Sequence, residues 1–226
     1  MDARRFGRDA VVKRIQPEVR VWVYAEGGGN DCNQLKADMR EAFSRFFENA
    51  GLKDNRPRLI PCGSRENAFH DFCTAIAQGK NALLLVDSEA PVDSAHEPPP
   101  IDHFRPWAHL KLRDKWDKPS QASDPDCHLM VHCMENWFFA DWEAVAKFFG
   151  QGFRSDAKPN QACEKVNKTE ALNALEKATR DCKKGKYRKG QHSFKLLALI
   201  SSSQLLAASP WAKRFIDEIV KRKSTN

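Results

Sequence analysis

ALLLVDSE, residues 82–89, is the stretch that decides the architecture. Five apolar residues follow one another without alternation and run into Asp87 and Glu89, with Ser88 between them. A continuous apolar run suits a parallel strand covered on both faces, because neither side of such a strand meets water. Working outward, VRVWVYAE (residues 19–26) is β-branched and aromatic and reads as an earlier strand ending in Glu26. Gly27, Gly28 and Gly29 follow, a turn in which the backbone passes close to something or takes positive φ. Leu35, Met39, Ala42, Phe43, Phe46, Phe47 and Ala50 then recur at helical spacing, and Gly51 ends that helix. RLIPC (residues 58–62) is a short strand with Gly63 as its turn, and Phe69, Phe72, Cys73 and Ile76 mark a second helix stopped by Gly79.

Downstream, the proline-rich APVDSAHEPPPIDHF opens an insert spanning 90–127, and RPWAHLKLRDKW within it is a short basic and aromatic helix. HLMVHCM (residues 128–134) reads as a fourth strand, followed by a helix with Asn136 as N-cap and Phe138, Trp142, Val145 and Phe149 as its buried stripe. The order β-α-β-α-β-insert-β-α implies an α/β protein with an open, mostly parallel sheet flanked by helices. A C-terminal helical extension follows: one helix after the Asn167 and Glu170 capping pair, one over SFKLLALI, and one starting at Ser209 and Pro210. The expected division is a basic N-terminal arm (1–18), the α/β domain (19–150) and a helical region (151–226) with a basic loop.

The chain has 226 residues, 41% of them hydrophobic, enough for a sizeable core. Its net charge of +7 favours an anionic partner. No apolar run approaches the roughly 20 residues that cross a bilayer, so no membrane partner is expected. The seven cysteines are scattered and form no CxxC pair, which points to reduced thiols in a cytoplasmic protein. His128, His132 and Cys133 are soft ligands by type, but strand alternation separates the cysteine from the histidines.

Ligands of open α/β sheets bind outside the carboxyl ends of the strands. There the pattern puts Glu26, Asp87, Glu89 and Glu135. So much negative charge in one cleft repels itself unless a cation neutralises it, and hard oxygen ligands suit Mg²⁺ or Mn²⁺. An ATPase reading of the strand ending in Asp87 fails, because no GxxxxGK[ST] occurs. GGGNDC at residues 27–32 is not a dinucleotide fingerprint either. A phosphoacceptor role for Asp87 stays open as a third reading, without an identified lysine or hydroxyl residue at a later strand end.

A glutamate closing strand one beside glycine, with an acid-x-acid pair closing a later strand, resembles the TOPRIM domain of topoisomerases, primases and overcoming-lysogenization-defect nucleases. Through YAEGGG, LLLVDSEAPV, HLMVHCMENWFFAD and GKYRKGQHSF, the whole chain further resembles a TOPRIM-like bacterial family, the domain of unknown function numbered 4276. The resemblance implies Glu26 as general acid/base or metal ligand, Asp87 and Glu89 as the metal pair, and Glu135 as an added ligand. The family pattern has DxD where this chain has DxE. Asp141 falls on the helix rather than at its mouth. The resemblance also implies an ATPase partner and a setting in anti-phage defence.

CKKGKYRKGQHSF (residues 182–194) supplies the basic side, with Lys183, Lys184, Lys186, Arg188 and Lys189 interleaved with Tyr187 and glycines. This composition suits a phosphate backbone with a stacked base. Lys189 and His192 are the preferred contacts, and His192 is also a candidate to protonate a leaving group. Arg113 and Lys115 form a second candidate patch, with Trp107 and Trp116 packing the insert onto the domain. The expected function is a Mg²⁺- or Mn²⁺-dependent nuclease acting on DNA or RNA. The alternative is a non-catalytic or partner-activated nucleic-acid-binding subunit of an ATPase complex.

Overall fold

In the computed structural model, residues 20–224 are described, so the arm expected at 1–18 lies outside the described residues. Four strands, β1 (Trp22–Ala25), β2 (Arg58–Pro61), β3 (Ala82–Asp87) and β4 (Cys127–Met130), form one all-parallel sheet in the order β2-β1-β3-β4. All six residues of β3 are buried, as its unbroken apolar run requires. Odd and even positions serve different cores. Leu83 and Leu85 join Val23, Ala25 and Met130 on one face, while Leu84 and Val86 join Tyr24 and Leu129 on the other.

Helix α1 (Asn33–Phe47) covers the first face with Met39, Phe43, Phe46 and Phe47. Each fully buried Phe contributes about 1.5–3 kcal/mol relative to exposure. A π-helical turn, Glu48–Leu52, follows α1, and within it Gly51 takes a left-handed φ of 85° that glycine adopts without steric cost. Helix α2 (Arg65–Ala77), capped by Ser64, and α3 (Pro106–Asp114) from the insert cover the second face. Trp107 is buried there against Phe72, and Trp116 stacks on Phe69 at 4.4 Å, so both tryptophans pack the insert onto α2.

Two boundaries differ from the sequence expectation. β4 stops at Met130 rather than residue 134, because His132 takes a left-handed φ of 57°. The next helix starts late: a 3₁₀ segment, Met134–Asp141, precedes α4 (Trp142–Phe149), and the N-cap is Asp141, which accepts from Ala144 N at 3.1 Å. Asn136 caps nothing. Its amide donates to the carbonyls of Cys163 and Val166 and ties down the turn before α5 (Lys168–Thr179). The capping residue Asn167 does accept from Glu170 N, at 2.9 Å.

Helices α6 (Ser193–Leu197), α7 (Ser202–Ala208) and α8 (Pro210–Ser224) complete the chain, α7 being a helix the sequence pattern did not separate. α5, α6 and α8 add Leu175, Phe194 and Phe215 to the core of the first face. α8 runs along β4, where Arg214 donates to the carbonyl of Cys127 at 2.8 Å, and so covers that border of the sheet. No described helix is long and apolar enough to cross a membrane.

Candidate functional site

The chain leaves β1 for β2 on one side and returns to β3 on the other, so a crevice opens between the carboxyl ends of β1 and β3. Glu26 follows β1, Asp87 ends β3, and Ala25 pairs with Leu85, which sets the two acids side by side. Ligand oxygens of Glu26, Asp87 and Glu89 all lie within 4.8 Å of one another. Glu26 Oε2 accepts from Asp87 N at 3.1 Å. Asp87 Oδ1 accepts from Met134 N at 2.9 Å, so the first residue of the 3₁₀ segment after β4 orients the carboxylate of β3.

Glu89 reaches this cluster through strained backbone. Its φ is 61°, a conformation that costs a non-glycine residue roughly 1–3 kcal/mol. Three hydrogen bonds lock it: Ser88 N to Met130 O, Glu89 N to His132 O, and His132 N to Ser88 Oγ. Behind them, buried His109 places Nε2 at 3.0 Å from the Ser88 carbonyl. Beside the acids lies a cleft of about 300 Å³ whose lining includes Glu26, Gly28, Asp87, Lys189 and Phe194. Gly28 has φ 82°, and a Cβ there would stand 2.9 Å from that of Pro61. A side chain at this position would collide with β2 and α1.

Burial raises the Glu26 carboxyl above the ordinary carboxylate range, against the pull of the Arg65 guanidinium. Burial pushes Asp87 up much further, and the Glu26 carboxylate adds to it. At Glu89 burial also acts upward, but the Lys168 ammonium overcomes it and the carboxyl is lowered. Lys168 pairs with Glu89 and sits 3.9 Å from Asp87 Oδ2. Arg65 lies 3.4 Å from Glu26 Oε2, donates to the Asp87 carbonyl and pairs with Asp114 at 2.8 Å.

Glu135 does not join the three converging acids. It is fully buried, with Oε1 accepting from Tyr187 Oη at 2.9 Å and Oε2 lacking any hydrogen bond. Lys189 lies between: its Nζ is 3.5 Å from Glu135 Oε2 and 3.9 Å from Asp87 Oδ2. Burial pulls the Lys189 ammonium down, yet the Glu135 and Asp87 carboxylates outweigh it and raise its pKa. The geometry makes Glu135 the counterion of Lys189.

The rest of the basic loop is spent locally. Tyr187 is buried under its bond to Glu135 rather than free to stack on a base. Lys184 donates to the Phe148 carbonyl and lies 4.9 Å over that ring, and Lys186 pairs with Glu176. Lys183 and Arg188 are exposed. His192 is buried against Phe149, with Nδ1 accepting from Arg188 N at 3.1 Å, and it does not line the acidic cleft. Arg113 pairs with Asp114 at the rim. Asp141, as helix cap, also accepts from Ser201 N at 2.8 Å.

Sequence reasoning missed Arg65 and Lys168. Each is the first residue of its helix, α2 and α5. The helix dipole disfavours cations at that end, so a basic residue there signals an anionic neighbourhood. Three hard carboxylate ligands without thiol or imidazole suit Mg²⁺ or Mn²⁺, and no other such group occurs among the described residues. The rival ligands near β4 are committed elsewhere: His128 Nε2 lies 3.0 Å from the Pro125 carbonyl and Nδ1 lies 3.1 Å from Arg214.

The model of one protein family, domain of unknown function DUF4276, matches residues 25–220. The chain belongs to the DUF4276 family. The matched span runs from the end of β1 into α8 and contains every acid and cation of the cleft. No curated protein and no solved structure is a match for the chain.

Proposed function

We propose that this DUF4276 protein is a divalent-metal-dependent hydrolase of phosphodiester bonds in nucleic acid, with a TOPRIM-like set of acids. The observation that carries the reading is the convergence of Glu26, Asp87 and Glu89 at the switch point of the sheet, beside a glycine-lined cleft that Lys189 also lines. These three acids would hold Mg²⁺ or Mn²⁺, which when bound supplies Lewis-acid polarisation of a phosphoryl oxygen and activation of water. Lys189, held between Asp87 and Glu135, offers its ammonium to the charge that develops on phosphate oxygens. Arg65 fixes the carboxylate of Glu26, and Lys168 keeps that of Glu89 ionised.

A cytoplasmic setting, an ATPase partner and a role in anti-phage defence belong to the same proposal. The free state of all seven cysteines is in keeping with a reducing compartment. The test is incubation of purified protein with Mg²⁺ or Mn²⁺ and plasmid DNA or RNA, which should be nicked or cut by the wild type and not by Asp87→Ala. Robust cutting by Asp87→Ala would remove the acid cluster from the mechanism.

One observation favours a second reading, a partner-activated binding subunit. Arg65, Lys168 and Lys189 already neutralise much of the acid cluster within the chain. Cleavage that appears only when an ATPase partner is added would select this reading.

A further inference from the structure

We infer that the groove between α1 and β2 is the track along which the phosphodiester backbone of a nucleic-acid strand reaches the acidic cleft. The inference deepens the reading above and rests on it for the class of ligand. The groove has a volume of about 310 Å³ and is lined by Arg40 and Ser44 of α1 with Arg56, Arg58, Leu59 and Ile60. β2 is an outer strand of the sheet, so the groove runs along a free border, whereas α8 covers the border at β4.

The groove leads to the cleft. β2 ends at Pro61, and a Cβ on Gly28, which lines the cleft, would touch Pro61 and the Cγ of Lys36 together. From there the four residues of β2 extend about 13 Å at ~3.3 Å per residue. Lys36, Arg40 and Ser44 stand four residues apart and share one flank of α1. Asp38, Glu41 and Arg45 line a separate hollow against Phe194 and Lys195 of α6. α1 thus carries Lys36 and Arg40 toward β2, and its acids, with Arg45 paired to Glu41, away from it.

The cations on the β2 side are available. Among the described residues, Lys36, Arg40, Arg58 and Lys80 have no carboxylate within ion-pair distance, whereas Arg56 pairs with Glu48. Arg58 lies 4.7 Å and Lys80 5.7 Å over the Trp22 ring, which packs with the core on the α2 side, so these two charges stand on the sheet face away from α1. The unpaired ammonium of Lys36 and guanidinium of Arg40, one helical turn apart on α1, match successive phosphates of a strand. An acidic peptide added to the sheet border fits less well, since β2 is short and Pro61 has no N–H to offer.

Binding in EDTA separates this inference from the nuclease reading. Fluorescein-labelled 20-nucleotide DNA and RNA oligonucleotides would be titrated with wild type, Asp87→Asn, Lys36→Glu/Arg40→Glu and the surface control Lys213→Glu, following anisotropy at several salt concentrations. Wild type and Lys213→Glu should bind alike, and Asp87→Asn, which removes a negative charge from the cleft, should bind no more weakly than wild type. The double reversal should bind at least tenfold more weakly, and its slope of log affinity against log salt should be shallower by about one to two. Should the reversal unfold the protein, Lys36→Gln/Arg40→Gln should give the same direction of change. Equal affinity in the double variant overturns the inference, as does a wild type that binds neither oligonucleotide or binds an acidic peptide in their place. Oligonucleotide binding through this groove by a protein that cuts nothing would sustain the track and sink the nuclease reading alone.

Discussion

The acids outside β1 and β3 and the cations of the 183–189 loop lie side by side, joined at Lys189, yet only the acids form a set. Glu26, Asp87 and Glu89 come from two strand ends and share one space. The loop cations disperse: Lys184 to a carbonyl, Lys186 to Glu176, and Lys189 alone to the acids. A strand end fixes where its residue stands in the fold. A charge run fixes only how many charges a segment carries, and the long side chains then pair separately or stay in solvent, as Lys183 does.

The largest expected effect breaks the acid set. Glu26→Ala or Asp87→Ala should reduce Mg²⁺- or Mn²⁺-dependent cleavage to the level without protein. Glu135→Gln tests the joint between the two regions. It keeps the bond from Tyr187 while removing the charge that holds Lys189, and kcat should fall about 10–100-fold with Mn²⁺ affinity retained. A parallel loss of Mn²⁺ binding would make Glu135 a ligand after all.

Much of the fold was legible because β3 is apolar without interruption and only a doubly covered strand can be so. The acids were legible because parallel topology sends every strand's last residue to one pole. Glu135, expected as a fourth ligand, stands apart from the three converging carboxylates because the backbone turns at His132, where φ 57° ends the strand early. That turn buries the residue instead of leaving it at a strand mouth. The basic loop was legible only as charge, since the pairing of Lys186 with Glu176 depends on packing that no local pattern encodes. Arg65 and Lys168 were readable in principle, as cations set against the dipole of α2 and α5.

Smaller effects sharpen the comparison through stability. Tyr187→Phe strands a buried carboxylate oxygen and should destabilise by about 1–3 kcal/mol, read as a fall in melting temperature of about 2–4 °C per kcal/mol. Asp87→Asn should act the other way. A carboxyl whose pKa is raised on folding stabilises at pH below its unfolded value, and this is lost as pH climbs through the folded value. In EDTA, Asp87→Asn should therefore melt above wild type at pH 8, with the gap closing toward pH 4. Smallest of all, Lys183→Ala should leave cleavage and melting temperature unchanged, since this exposed side chain belongs to no set.

The central claim is that Glu26, Asp87 and Glu89 together hold one class of ligand, a divalent cation. Isothermal titration of Mn²⁺ into wild type and into Glu26→Gln/Asp87→Asn tests it most directly. The account predicts saturable binding to the wild type that is lost in the double variant while the fold, followed by circular dichroism, persists. Equal binding by both proteins, or none by the wild type alone or with an ATPase partner, would contradict it.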